Sequence, residues 1–207
     1  MSPDLFLSAF VSMFVVVDPF GTAAVFAALT NKLDKAMQKR IAVKAVVIAA
    51  IILTTFSLVG EPLLRHMSIS LPAFRVAGGI LLFVTAFRMI MGFHDPDQLN
   101  SEKSAYKDRS DIAVFPLAIP LLSGPGCITA IVMFATSSKN MVDYATVMTA
   151  TGCVLLIALS CLFFAGFLGR MFGPTGYGIV TRVMGILLAA MSIQFLSDGF
   201  HQLFNIQ

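Results

Sequence analysis

The sequence predicts an all-α, polytopic membrane protein: six transmembrane helices in two inverted three-helix repeats, with helices 1 and 4 broken. Three observations predict it. Only 12% of the 207 residues are charged while 57% are hydrophobic. Soluble domains carry about 25% charged residues, so this chain has too little charge to coat a water-facing surface. Six apolar stretches reach the roughly 20 residues a helix needs to cross the hydrocarbon core. Finally, two motifs of the first half return in the second half at nearly one offset.

The stretches are 5–29, 41–60, 71–91, 112–135, 145–168 and 179–199. They are continuous, as in AVVIAAIIL at 45–53, where barrel strands would alternate. Backbone groups in lipid bond internally only in helices or closed barrels, so helices are expected. The first stretch is read as a span and not a cleaved signal, because residues 1–4 hold no basic side chain and the run exceeds a signal's apolar core. Eleven of the fourteen Lys and Arg fall in three alternate connections: Lys32, Lys35, Lys39, Arg40 and Lys44; Arg88, Lys103, Lys107 and Arg109; Arg170 and Arg182. Arg65, Arg75 and Lys139 lie on the other side. The positive-inside rule then puts both termini outside, which is periplasmic for a Gram-negative inner membrane. The polar stretch 92–111 reads as a cytoplasmic linker between a first repeat, 1–91, and a second, inverted repeat, 112–207.

The repeat rests on two pairs. Arg75-Val-Ala-Gly78 matches Arg182-Val-Met-Gly185 at an offset of 107, and Pro19 matches Pro125 at 106. Three spans per half is an odd number, so the second half must enter from the opposite side. That is the architecture of many secondary transporters.

Asp18 lies 13 residues into the first stretch, roughly 20 Å at 1.5 Å per residue and so near the bilayer centre. Asp is a good N-cap and Pro suits the first helical position, so Asp18-Pro19 reads as the start of a second half-helix. Gly124-Pro125 reads the same way. Inverted symmetry would bring two half-helix N-termini together at midplane, each with unpaired N–H groups and a partial positive charge. The candidate substrate-binding residues are therefore Asp18, Pro19, Gly21 and Thr22 with Ser123, Gly124, Pro125 and Gly126, the N–H groups around Gly21 and Gly126 holding a carboxylate. Asp18 could bind a substrate amine, carry a proton or only cap its helix. Two structural proline kinks are the plain alternative. Arg75 and Arg182 either snorkel to the headgroups or act as matched gates, and Gln194, deep in the sixth span, is a third candidate gate.

Other chemistries find little footing. Cys127, Cys153 and Cys161 lie in apolar runs without a C-x-x-C pair and read as small buried hydrophobes. A thiol redox carrier would need a second cysteine where span 1 has Gly21 and Thr22. His66, His94 and His201 lack ligand spacing, so neither metal nor cofactor is expected. The net charge of +3 reflects orientation and not a nucleic-acid partner. No H-E-x-x-H, Ser–His pair or aspartyl dyad stands at membrane depth, so an enzyme is not expected; without a Walker A pattern, ATP is not the driver. The expected partners are a small-molecule substrate with H⁺ or Na⁺ and the lipid bilayer, with a homo-oligomer left open.

Four strings resemble the MarC family of bacterial inner-membrane proteins, also called the neutral amino acid transporter family. They are D-P-F-G at 18–21, F-R-V-A-G-G-I-L-L at 74–82, P-L-A-I-P-L-L-S-G-P-G at 116–126 and R-V-M-G-I-L-L at 182–188. The resemblance covers nearly the whole chain. It implies six spans in two inverted halves, an inner-membrane location and transport of small neutral amino acids such as glycine or alanine. It carries over Asp18, Pro19 and Gly21 from the first motif and Ser123, Gly124, Pro125 and Gly126 from the third. Relatives can carry Asn at position 18, which favours capping over charge. The expected function is a secondary transporter of a small metabolite, bound at midplane between the half-helix N-termini of spans 1 and 4. A non-transporting structural or regulatory membrane protein is the alternative.

Overall fold

The computed structural model describes residues 3–31, 33–92 and 113–204, and every regular element among them is helical. The first apolar run forms two helices, α1 (Pro3–Val17) and α2 (Pro19–Thr30), which meet at Asp18. α3 (Lys35–His66) starts where the Asp34 carboxylate accepts the Met37 N–H. α4 (Leu71–Met91) starts at a Ser70 cap and ends at Gly92, whose φ of 72° closes the helix in the left-handed region. α5 (Val114–Leu122) is wound as a π-helix, and α6 (Pro125–Ser137) follows it. α7 (Met141–Phe163) opens on Asn140, which caps the Asp143 N–H, and α8 (Ala165–Phe204) runs to the end of the described chain.

Among the described residues, five runs are long and apolar enough to cross a membrane: Pro3–Thr30, Lys35–His66, Leu71–Met91, Met141–Phe163 and Gly178–Phe204. The run expected as the fourth span, 112–135, is not among them. Its described part is split into helices of 9 and 13 residues, and 13 residues cover only about 20 Å of a core roughly 30 Å thick. The expected loop between 168 and 179 is also revised. The chain is helical again from Ala165, after the single residue Phe164, and departs from helix geometry at Gly173 (φ 59°, ψ 179°). That conformation belongs essentially to glycine, so a backbone hinge makes the turn there. The linker expected at 92–111 lies, beyond Gly92, outside the described residues.

The surface is that of an integral membrane protein. Ile80, Leu81, Phe83, Val84 and Phe87 of α4 are all exposed, as are Ile179, Val183, Ile186 and Leu187 of α8. A soluble monomer rarely shows so large a contiguous apolar patch. The first span is the most interior, with 61% of its most apolar stretch buried against 22% in Gly178–Phe204, so α1 and α2 occupy the centre while α8 faces lipid.

Small residues set the packing. Ala9 and Met13 of α1, Ala42, Ala45 and Ala49 of α3, and Ala150, Val154 and Ala158 of α7 share one buried core. Their spacing of three or four residues puts each set on one helix face, and small side chains let helices approach closely where lipid offers no hydrophobic driving force. α1 packs chiefly on α7 and α2 on both α7 and α8, while α5 packs on α3 and α6 on both α3 and α4. α4 and α8 form a long antiparallel pair: a side chain at Gly79 would meet Leu196, one at Gly185 would meet Met89, and one at Gly199 would meet Val76.

Candidate functional site

The first break is built by Asp18. Its φ of 42° and ψ of 71° are left-handed, a conformation that costs most residues about 1–2 kcal/mol but that Asp tolerates through local hydrogen bonding. Asp18 still donates its own N–H to the Phe14 carbonyl at 3.1 Å, which ends α1. Its Oδ1 accepts the Gly21 N–H at 3.1 Å, and its carbonyl accepts the Thr22 N–H at 2.9 Å, which starts α2. The Gly21 N–H would otherwise have bonded the Val17 carbonyl. The Thr22 hydroxyl takes that carbonyl instead, at 3.1 Å. Asp18 is 8% exposed and Thr22 3%, so this whole exchange is completed inside the protein. A Cβ at Gly21 would overlap the Asp18 carboxylate, so a larger residue there must displace that cap.

The second break is built differently. Pro116 and Pro120 bring no N–H groups to α5, and Ser123 turns back on it through both its N–H (2.9 Å) and its hydroxyl (2.7 Å), which share the Ala118 carbonyl. Gly124 is the N-cap of α6, with Pro125 at the first position and no side-chain hydrogen bond to the helix end. The Gly126 and Cys127 N–H groups therefore receive no side-chain oxygen. The Cys127 thiol stands beside backbone N–H groups here, but sulfur is a weak acceptor. Ser123 and Gly124 are buried, whereas Pro125 is exposed.

The two breaks approach one another. A Cβ on Gly126 would lie 3.3 Å from Val16 Cγ1, two residues before Asp18, and 2.5 Å from Leu82 Cδ2. Leu82 is fully buried near the middle of α4, a helix of 21 residues, so the crossing sits halfway along a membrane-length helix. One turn further on, α6 presents Thr129 to Gly78 of α4, where any side chain would collide.

The two ends are thus unequal. The Gly21 N–H is already given to a resident carboxylate, and only the α6 end is left without one. The candidate gates lie elsewhere. Arg75 is half-buried and donates from Nε to Met133 Sδ at 3.4 Å. Arg182 is exposed, with Nη2 beside Gly92, ten residues and so about 15 Å along α4 from the Leu82 level. There it meets the negative C-terminal end of α4. Gln194 is exposed and donates to Asp198 of its own helix at 2.7 Å. One residue that sequence reading passed over as apolar filling comes close: Cys161 of α7 is half-buried and within electrostatic reach of the Asp18 carboxylate. No local signal marks it, because only the packing of α7 on α1 and α2 brings it there.

The model of one family, described as MarC family integral membrane protein, matches residues 4–204. The chain belongs to the MarC family. Relatives within it include a UPF0056 membrane protein of Aquifex aeolicus (strain VF5), 38% identical over 205 residues, which cover 96% of this chain and 94% of the relative. UPF0056 membrane protein YhcE of Escherichia coli (strain K12) is 34% identical over 97% of this chain and 94% of its own length. YvbG of Bacillus subtilis (strain 168), with the same description, is 32% identical over 95% and 94%. No solved structure matches this MarC-family chain. The family match spans both breaks, and the relatives' names carry no substrate.

Proposed function

We propose that the protein is a secondary transporter of a small metabolite, a neutral amino acid, bound where the two breaks meet. The observation that carries this reading is the pairing, at mid-depth, of a buried carboxylate on one broken span with a helix N-terminus on the other that no side-chain oxygen caps. A zwitterion has both charges to offer. Its carboxylate fits the Gly126 and Cys127 N–H groups, and its ammonium faces Asp18. An acidic side chain costs about 3 kcal/mol at the centre of a membrane helix, so a resident one at this depth favours a functional role over a bare kink.

In this reading α5 and α6 together make the fourth of six spans, and the halves are inverted repeats. The helix pairing supports it. Exchanging the halves turns α1 and α2 on α7 into α5 and α6 on α3, and α4 on α6 into α8 on α2; α4 with α8 and α3 with α7 map onto themselves. Alternating access then comes from one half rocking on the other, driven by H⁺ or Na⁺. The charge asymmetry of the connections supports a bacterial inner membrane with both termini periplasmic.

The test is uptake of labelled glycine and alanine, then a wider amino-acid panel, into liposomes containing the pure protein under an imposed proton or Na⁺ gradient. Saturable uptake above protein-free liposomes is expected, lost in Asp18→Ala. No uptake or binding of any amino acid would overturn the reading and leave a structural or regulatory membrane protein.

A further inference from the structure

The start of α3 and the join of α7 to α8 lie side by side and enclose a cleft of about 400 Å³. Three cations line it: Lys35 and Lys39 from α3 and Arg170 from α8. Lys35 and Lys39 are four residues apart and so share one face, and Lys35 is the first residue of α3, where the helix end adds positive potential. Neighbouring polar groups are committed elsewhere. The Asp34 carboxylate caps the Met37 N–H at 3.3 Å, and the Gln38 amide donates to the Thr30 and Leu33 carbonyls at 2.9 and 3.2 Å. Among the described residues, Arg65 and Glu61 form the ion pair, and no carboxylate pairs with the three cations of the cleft.

The cleft also has an apolar wall. Phe163, Phe164 and Phe167 line it and are 44%, 62% and 64% exposed. They stand where the membrane-length helix α7 ends, which is the level of the headgroups. Aromatic side chains there, with cations just beyond them, match a molecule with a phosphate at one end and hydrocarbon at the other.

We propose that this cleft holds the headgroup of an anionic phospholipid, with Lys35, Lys39 and Arg170 around the phosphate and Phe164 and Phe167 against the glycerol and upper acyl chain. Arg170 supplies the forked donors suited to phosphate oxygens, and the lysines supply point charge. The bound lipid bridges α3, which packs on the second broken span, and the end of α7, which packs on the first.

The experiment uses the full chain purified in detergent, titrated separately with phosphatidylglycerol, phosphatidylcholine and inorganic phosphate, with bound ligand counted by native mass spectrometry. Phosphatidylglycerol is expected to bind on the order of a hundredfold more tightly than phosphatidylcholine, at about fivefold for each of the three contacting cations. Lys39→Ala with Arg170→Ala should abolish the preference, and Lys39→Arg with Arg170→Lys should keep it. Should the alanine pair misfold, Arg170→Gln alone, at an exposed position, serves the same purpose. Equal binding of the two lipids, or an undiminished preference in the neutralised variants, would overturn the proposal. So would displacement of the lipid by millimolar phosphate, which would assign the cleft to a soluble anion.

Discussion

The two breaks solve one problem in opposite ways. Each interrupts an apolar run with a proline, and each must then satisfy the helix ends that the interruption creates. Asp18 closes the first break from within: its carboxylate takes the Gly21 N–H, the Thr22 hydroxyl takes the Val17 carbonyl, and all four residues are buried. The second break closes only on the α5 side, where Ser123 returns to Ala118, and leaves the start of α6 without a side-chain cap. A proline offset marks the two places as equivalent, but their chemistry is complementary. In the transporter we propose, a repeat would supply the frame of the site while its two copies diverge to supply the two charges.

Substitutions can break that comparison. The largest effect is expected at Asp18. Asp18→Ala removes the cap of α2 and the only acidic side chain in the first break, costing about 1–2 kcal/mol of stability and at least tenfold in uptake. Asp18→Asn keeps an oxygen for the Gly21 N–H and is expected to retain the melting temperature, while uptake falls because the charge that faces the substrate ammonium is gone. Uptake retained in Asp18→Asn at an unchanged melting temperature in detergent would assign the residue's role to capping and not to charge.

A middle effect is expected from adding one methyl at each break. In Gly126→Ala the new Cβ meets Leu82 and Val16 of two neighbouring helices, an overpacking cost of about 1–3 kcal/mol. In Gly21→Ala it meets only the Asp18 carboxylate, so the cost is that of displacing a cap, about 1 kcal/mol. A double variant of Gly21→Ala with Asp18→Ala should then be no less stable than Asp18→Ala alone, whereas Gly126→Ala should add its cost to either.

The smallest effects distinguish the hydroxyls. Thr22→Val takes away the Val17 carbonyl's partner in the first break and is expected to cost about 1 kcal/mol. Ser123→Ala should cost less than about 0.5 kcal/mol, because the Ser123 N–H still holds the same Ala118 carbonyl. Melting curves of the two variants measured together give the difference directly.

The sequence by itself determined the solvent and the places of rupture. Solvent follows from composition: with 12% charged residues, no arrangement of this chain could face water throughout. Rupture follows from local chemistry, since Asp-Pro and Gly-Pro start helices whatever surrounds them. Capping of Gly21 by Asp18 was legible for the same reason, spanning three residues of one turn. The tertiary structure alone decided the rest. Which helix covers which break depends on contacts far apart in the chain, as when α4 sets Leu82 against Gly126. Arg75 and Arg182 make the point from the other side: identical motif positions, 107 residues apart, acquire a Met133 sulfur in one case and the end of α4 in the other. A motif specifies a residue's neighbours in the chain, and only packing specifies its neighbours in space.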